Sequence, residues 1–194
     1  MTWDFITDFG DTAVTVPLIA LVLVFLAITR RWRPAIGWAL AILGCGGSIG
    51  AIKALLIGCG YRTSVAGVVS PSGHAAMSTS VYGSLVVIIA AGMPLRYRVP
   101  LFFAAALLVL AIAVSRTILG AHNPTEVIVG AMIGGAAIVA FRFIAAPFPA
   151  DLPVRWLGAA SLLLIALLHG GRWPTERAVH GTAGYLHAWL PWCG

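Results

Sequence analysis

Six long apolar stretches dominate the chain, at about 12–29, 35–57, 73–93, 99–117, 124–146 and 153–169, with short polar breaks between them. A run of roughly 17–25 apolar residues crosses a bilayer as a helix. The pattern therefore predicts an all-α integral membrane protein with six transmembrane helices in one bundle. Pro34, Pro94, Pro100, Pro124, Pro147 and Pro153 lie near the predicted ends, where proline punctuates a helix instead of breaking it. No long repeat and no linker divides the sequence, so residues 1–194 read as a single transmembrane domain, with 170–194 as a polar-tipped tail.

The breaks alternate in charge. Arg30, Arg31 and Arg33 follow the first span, Arg96 and Arg98 follow the third, and Arg142 and Arg155 flank the break after the fifth. Basic residues collect on the cytoplasmic side, so those three breaks are expected inside. The N-terminus, the 58–72 and 116–123 breaks and the tail are then expected outside. This orientation suits a multi-pass protein of the plasma (inner) membrane. Trp3, Trp32, Trp38, Trp156, Trp173, Trp189 and Trp192 all fall near predicted interfaces and read as an aromatic belt.

Composition agrees: 60% of residues are hydrophobic and 9% are charged, against about a quarter charged in a soluble domain. Asp4, Asp8 and Asp11 stand where a signal peptide carries basic residues. The net charge of +6 comes without a Lys/Arg block or a stacking motif, so membrane lipids, not nucleic acid, are the expected partners. Nothing in the chain fixes an oligomeric state. Cys45, Cys59 and Cys193 lack metal-type spacing.

Two polar strings lie at the outer ends of apolar runs. In Ser115-Arg116-Thr117-Ile118-Leu119-Gly120-Ala121-His122-Asn123-Pro124-Thr125-Glu126, Asn123 suits a helix N-cap and Pro124 the first turn. Glu126 is four residues past His122, where its carboxylate can fix the imidazole tautomer and raise the basicity of the far nitrogen. It is equally placed to cap the Asn123 amide, and both readings stay open here. The second string is Ser70-Pro71-Ser72-Gly73-His74. Glycine admits close backbone approach, and a helix start offers amides to an anion. Lys53 sits about a turn inside the second span, where a cation needs a partner, a cavity or a route to the interface. Arg62 lies in the following break, and Arg116 ends the fourth span, also suited to snorkelling. Cations, amides, a histidine beside a carboxylate and a second histidine are what phosphoryl transfer uses.

These residues resemble the type 2 phosphatidic acid phosphatases, membrane lipid phosphatases related to vanadium haloperoxidases. The family carries a Lys with a following Arg-Pro, a Pro-Ser-Gly-His, and a Ser-Arg-x5-His-x3-Asp. The second motif stands at 71–74, and the third at 115–126 with Glu126 in place of Asp. Lys53 and Arg62 match the first with a longer interval, and Thr63 replaces its Pro. The resemblance covers about 50–146. It implies a metal-independent phosphatase without a cofactor. His122 would be the nucleophile, forming a phosphohistidine. Glu126 would orient it, and His74 would be the acid. Lys53, Arg62, Ser72, Gly73 and Arg116 would hold the phosphate oxygens.

With the expected orientation, the site faces the periplasm or cell exterior at headgroup level, and the substrate would be a lipid phosphate or pyrophosphate. Undecaprenyl pyrophosphate suits the short outer loops; a phospholipid phosphate is the other candidate. A lipid phosphotransferase would use the same residues. A transporter or channel would line a path with them, and a metal site would use His122, Glu126 and His74 as ligands. Cys59 and Cys193 are both expected outside, where a disulfide can persist. Gly44, Gly46, Gly47, Gly50, Gly130, Gly134 and Gly135 suit close helix packing, as does Cys45. His169 is expected at the interface, and 174–192 as an amphipathic helix on the outer leaflet.

Overall fold

The structure is a computed structural model that describes residues 2–58, 70–148 and 151–173. Every regular element among them is helical: α1 Thr2–Asp8, α2 Thr12–Ile28, α3 Trp32–Gly58, α4 Gly73–Ala91, α5 Leu95–Ile118, α6 Pro124–Ala145 and α7 Val154–Leu168. Five segments are long and apolar enough to cross a membrane: Thr2–Ile28, which joins α1 and α2, Trp32–Leu56, and the whole of α4, α5 and α6. The chain is an all-α membrane bundle. Large side chains such as Leu43, Phe103, Phe143 and Leu162 are exposed, as expected where lipid replaces water as the surrounding medium.

Two elements differ from the apolar pattern. The acidic start forms α1, which packs on α5. Asp11 then opens α2 by accepting the Ala13 amide at 2.8 Å. The turn between them is tight: a Cβ on Gly10 would stand 2.8 Å from Ile112 Cγ2. The sixth apolar run forms a shorter helix than expected, 15 residues. That is about 22 Å of rise. Its ends are set by Pro153 and by His169-Gly170, where Gly170 takes φ +88°, a backbone that glycine adopts at little cost.

α4 lies at the centre, packed against α3, α5 and α6 and also touching α2 and α7. Small residues bring α6 against it. A Cβ on Gly130 would collide with the Ser72 carbonyl oxygen, and one on Gly134 with that of Ala76. Both obstacles are backbone, so the two helices approach closely only because these positions carry no side chain. Gly46 makes ordinary contact with Met77, whereas Gly44, Gly47, Gly50 and Gly135 meet nothing. The expected glycine contact is thus confined largely to the α4–α6 seam. Cys45 is buried, with its Sγ 3.7 Å from the Ala76 oxygen, a packing role as anticipated.

Trp38 departs from the aromatic belt. It is fully buried, meets Phe141 edge to face at 5.9 Å, and donates its Nε1 proton to the Ile19 oxygen at 3.3 Å. The ring faces inward on α3, and its N–H finds a backbone acceptor there, so the core accommodates it. At the other end of the bundle His169 meets the Ile6-to-Phe9 turn region. Its ring stacks near Phe5 and Phe9, and its Nε2 lies 2.9 Å from the Phe5 oxygen.

Candidate active site

The starts of α4 and α6 are fastened to each other, and this builds the site. Ser72 caps α4, accepting the Ala75 amide at 3.4 Å, and its own amide donates to the Glu126 carbonyl oxygen at 3.0 Å. Asn123 caps α6, accepting the Glu126 amide at 2.9 Å. Pro124 occupies the first turn. Ala75, Ala113 and Val127 then close a small buried cluster beneath the two starts, which brings in the end of α5.

Glu126 performs both roles that the sequence left open. Its Oε2 lies 3.0 Å from His122 Nδ1 and accepts the Asn123 amide at 3.2 Å. Its Oε1 accepts the Ser70 amide at 2.8 Å. The carboxylate is 6% exposed, and its hydrogen bonds offset the cost of burying it. The methylene that separates Glu from Asp lets one carboxylate reach the imidazole, the helix cap and the preceding loop together. With Nδ1 against the carboxylate, Nε2 is the His122 ring nitrogen turned away from it.

His74, in the first turn of α4, meets a partner that the sequence reading did not single out. Its Nε2 lies 3.7 Å from Asp11 Oδ2. The other oxygen of Asp11 accepts the Ala13 amide at 2.8 Å and the Trp173 amide at 3.1 Å. This leaves Oδ2 toward the imidazole. The signal available in the sequence was the helix-capping pattern Asp11-Thr12. It gave no hint that the cap would meet a residue more than sixty positions away. α1 contributes through Thr7, whose Oγ1 accepts from Arg116 Nη1 at 3.1 Å. Asp8 accepts from Arg172 Nε at 2.7 Å, with Asp4 at 3.6 Å from Arg172. Hydrogen bonding to Asp8, then its charge, raises the Arg172 pKa and keeps that side chain cationic.

The remaining predicted residues fall as follows. Lys53 is 6% exposed on α3, so it points inward and does not snorkel along lipid. It lies one turn beyond Ile49, which is the nearest neighbour of a Cβ built on Gly73, at 3.8 Å. That is ordinary contact. Among the described residues nothing requires glycine at 73. Arg116 is half-buried in the last turn of α5. Arg62, Cys59, Cys193 and the tail beyond Trp173 lie outside the described residues. Among the described residues no group of three His, Cys, Asp or Glu side chains is arranged to hold a metal.

The described helices define a membrane bundle in which the joined starts of α4 and α6 carry His74 and His122. Residues 57–148 match the model of the PAP2 superfamily, and over that segment the chain is similar to this superfamily. That match supports phosphatase activity on lipid-type phosphates in a membrane protein. The chain is also 28% identical over 182 residues to an uncharacterized 22.5 kDa protein in the cps region of Klebsiella pneumoniae. That alignment covers 91% of this chain and 87% of the relative. No solved structure matches the chain.

Proposed function

We propose that the protein hydrolyses a lipid phosphate or pyrophosphate at the outer membrane–water boundary, without a metal, through a phosphohistidine. The observation that carries this reading is the buried Glu126 on His122 Nδ1, fastened to the same turn that presents Ser72, Gly73 and His74. His122 Nε2 attacks phosphorus and forms the N–P bond while the P–O bond to the lipid breaks. His74 gives its proton to the departing oxygen. In the second step His74 takes a proton from water, whose oxygen displaces the histidine and releases inorganic phosphate. Lys53, Arg62 and Arg116 hold the equatorial oxygens with the first amides of α4, where the helix dipole favours an anion. Asp11 holds the His74 ring in the orientation that proton transfer needs.

Supporting the outward location, Arg30 and Arg31 lie between α2 and α3, and Arg33, Arg96, Arg98, Arg142 and Arg155 lie in the terminal turns of α3, α5, α6 and α7, all at the end opposite the α4 and α6 starts. The substrate class we favour is undecaprenyl pyrophosphate or a phospholipid phosphate, whose apolar chains stay in the bilayer. Transfer of the phosphoryl group to a second lipid would use the same first step. The test is release of inorganic phosphate by purified protein in a chelator. A panel of polyprenyl pyrophosphate, phosphatidate and phosphatidylglycerol phosphate would be compared with His122→Ala. At least one lipid is hydrolysed by the wild type and none by the variant. Equal release by both would remove His122 as nucleophile, and phosphate appearing on lipid in place of solution would assign a transferase.

A further inference from the structure

A second basic pocket opens at the far end of the bundle. It is a cavity of about 690 Å³ between the last turn of α4, the first turns of α5 and the end of α6. Arg98, Arg142, Val87, Ala91 and Phe148 are among its lining residues. α4 rises about 25 Å between His74 and Ala91 at 1.5 Å per residue, so this pocket is separate from the candidate active site. Arg98 is half-buried and pinned at its stem, with Nε donating to the Met93 oxygen at 2.9 Å. Arg142 lies over the Phe148 ring at 5.4 Å from its centroid. Among the described residues neither guanidinium has a carboxylate within ion-pair distance. Arg31 of the same end, by contrast, pairs with Asp151 at 2.5 Å.

The pocket continues into an apolar groove. A cavity of about 420 Å³ runs between α4, α5 and α6, bounded by residues such as Thr79, Gly83, Ala106, Ala113 and Ile138. Val87 and Phe102 line both cavities. The groove exists because α5 and α6 each pack on α4 more extensively than on one another, which leaves a furrow open to the bilayer. Two held guanidiniums at one mouth of an apolar furrow match one kind of occupant: a phosphate on an alkyl chain.

We propose that this pocket binds the headgroup of an anionic phospholipid from the leaflet opposite the active site, with one chain in the α4–α5–α6 groove. Phosphatidylglycerol is a suitable probe. It is a phosphodiester without the terminal phosphate that the proposed hydrolase removes, so its retention is distinct from substrate binding. The full-length protein is purified, stripped of lipid, and exposed to phosphatidylglycerol or phosphatidylcholine. Bound lipid is then counted by native mass spectrometry. Phosphatidylglycerol is retained about tenfold or more over phosphatidylcholine, and His122→Ala leaves the ratio unchanged. R98Q/R142Q brings the ratio to near one, R98K/R142K keeps most of it, and Ala106→Trp lowers retention by filling the groove. Equal retention of the two lipids by wild type overturns the proposal. So does an undiminished ratio in R98Q/R142Q. Displacement of the lipid by millimolar inorganic phosphate would show a site for free anion instead. Should the glutamine variant fail to fold, the wild-type ratio and Ala106→Trp still decide.

Discussion

The two histidines at the starts of α4 and α6 are held in contrasting ways. His122 meets its carboxylate four residues along the chain, at 3.0 Å, on a side chain tied down by two backbone amides. His74 meets Asp11 at 3.7 Å across two elements, through the α1–α2 corner and the segment after α7. A nucleophile has to keep one nitrogen aimed along one line, and a local, over-determined contact provides that. An acid that delivers a proton and later takes one back is better served by a looser partner. On the proposed mechanism, the rigidity of each pair follows the demand on it.

That contrast can be broken by five substitutions, taken from the largest effect. His122→Ala removes the attacking nitrogen and lowers lipid phosphate hydrolysis by about 10³-fold or more. Glu126→Ala costs about 10²–10³-fold in kcat, since the tautomer is no longer fixed. It also leaves the Ser70 and Asn123 amides without their acceptor, at about 1–3 kcal/mol of stability. Kinetics and thermal melting together check this, and unchanged melting with lost activity would contradict the dual role of Glu126. Gly130→Val pushes its side chain into the Ser72 carbonyl. It should lower stability by about 1–3 kcal/mol and separate the two histidines, so activity falls even below the melting temperature.

Asp11→Asn is the sharper test of the second pair. Asparagine still caps a helix, so the substitution removes charge while keeping the fold. Hydrolysis of an alkyl phosphate, whose leaving oxygen needs a proton, falls about tenfold, whereas p-nitrophenyl phosphate is hardly affected. Equal losses on the two substrates would mean that Asp11 only supports structure. Smallest of all is Glu126→Asp. It keeps the His122 contact and gives up the reach to Ser70, so activity changes by only about twofold to threefold while the melting temperature drops.

Much of this was legible in the sequence because it is local. Helix limits follow apolar length and proline position, and His122 with Glu126 needs only the 3.6-residue turn and the Asn123 cap. The seam between α4 and α6 was partly visible. Seven glycines suggested close packing, but only a register between two helices selects Gly130 and Gly134. Trp38 looked interfacial because its position in the chain is near a span end, yet its face on α3 turns it inward. Asp11 was the least legible. Its capping role is a local pattern, whereas its contact with His74 depends on how α1 folds back over α5, which no periodicity encodes. The same holds for Arg98 and Arg142, which read as orientation charges until the helices bring them to one pocket.

The most direct test of the central claim is to quench turnover on a substrate labelled with ³²P in its terminal phosphate and locate the label on the protein. The account predicts a base-stable, acid-labile phosphohistidine at His122, absent in His122→Ala and longer-lived in His74→Ala. Label on any other residue, or steady phosphate release by His122→Ala, would contradict it.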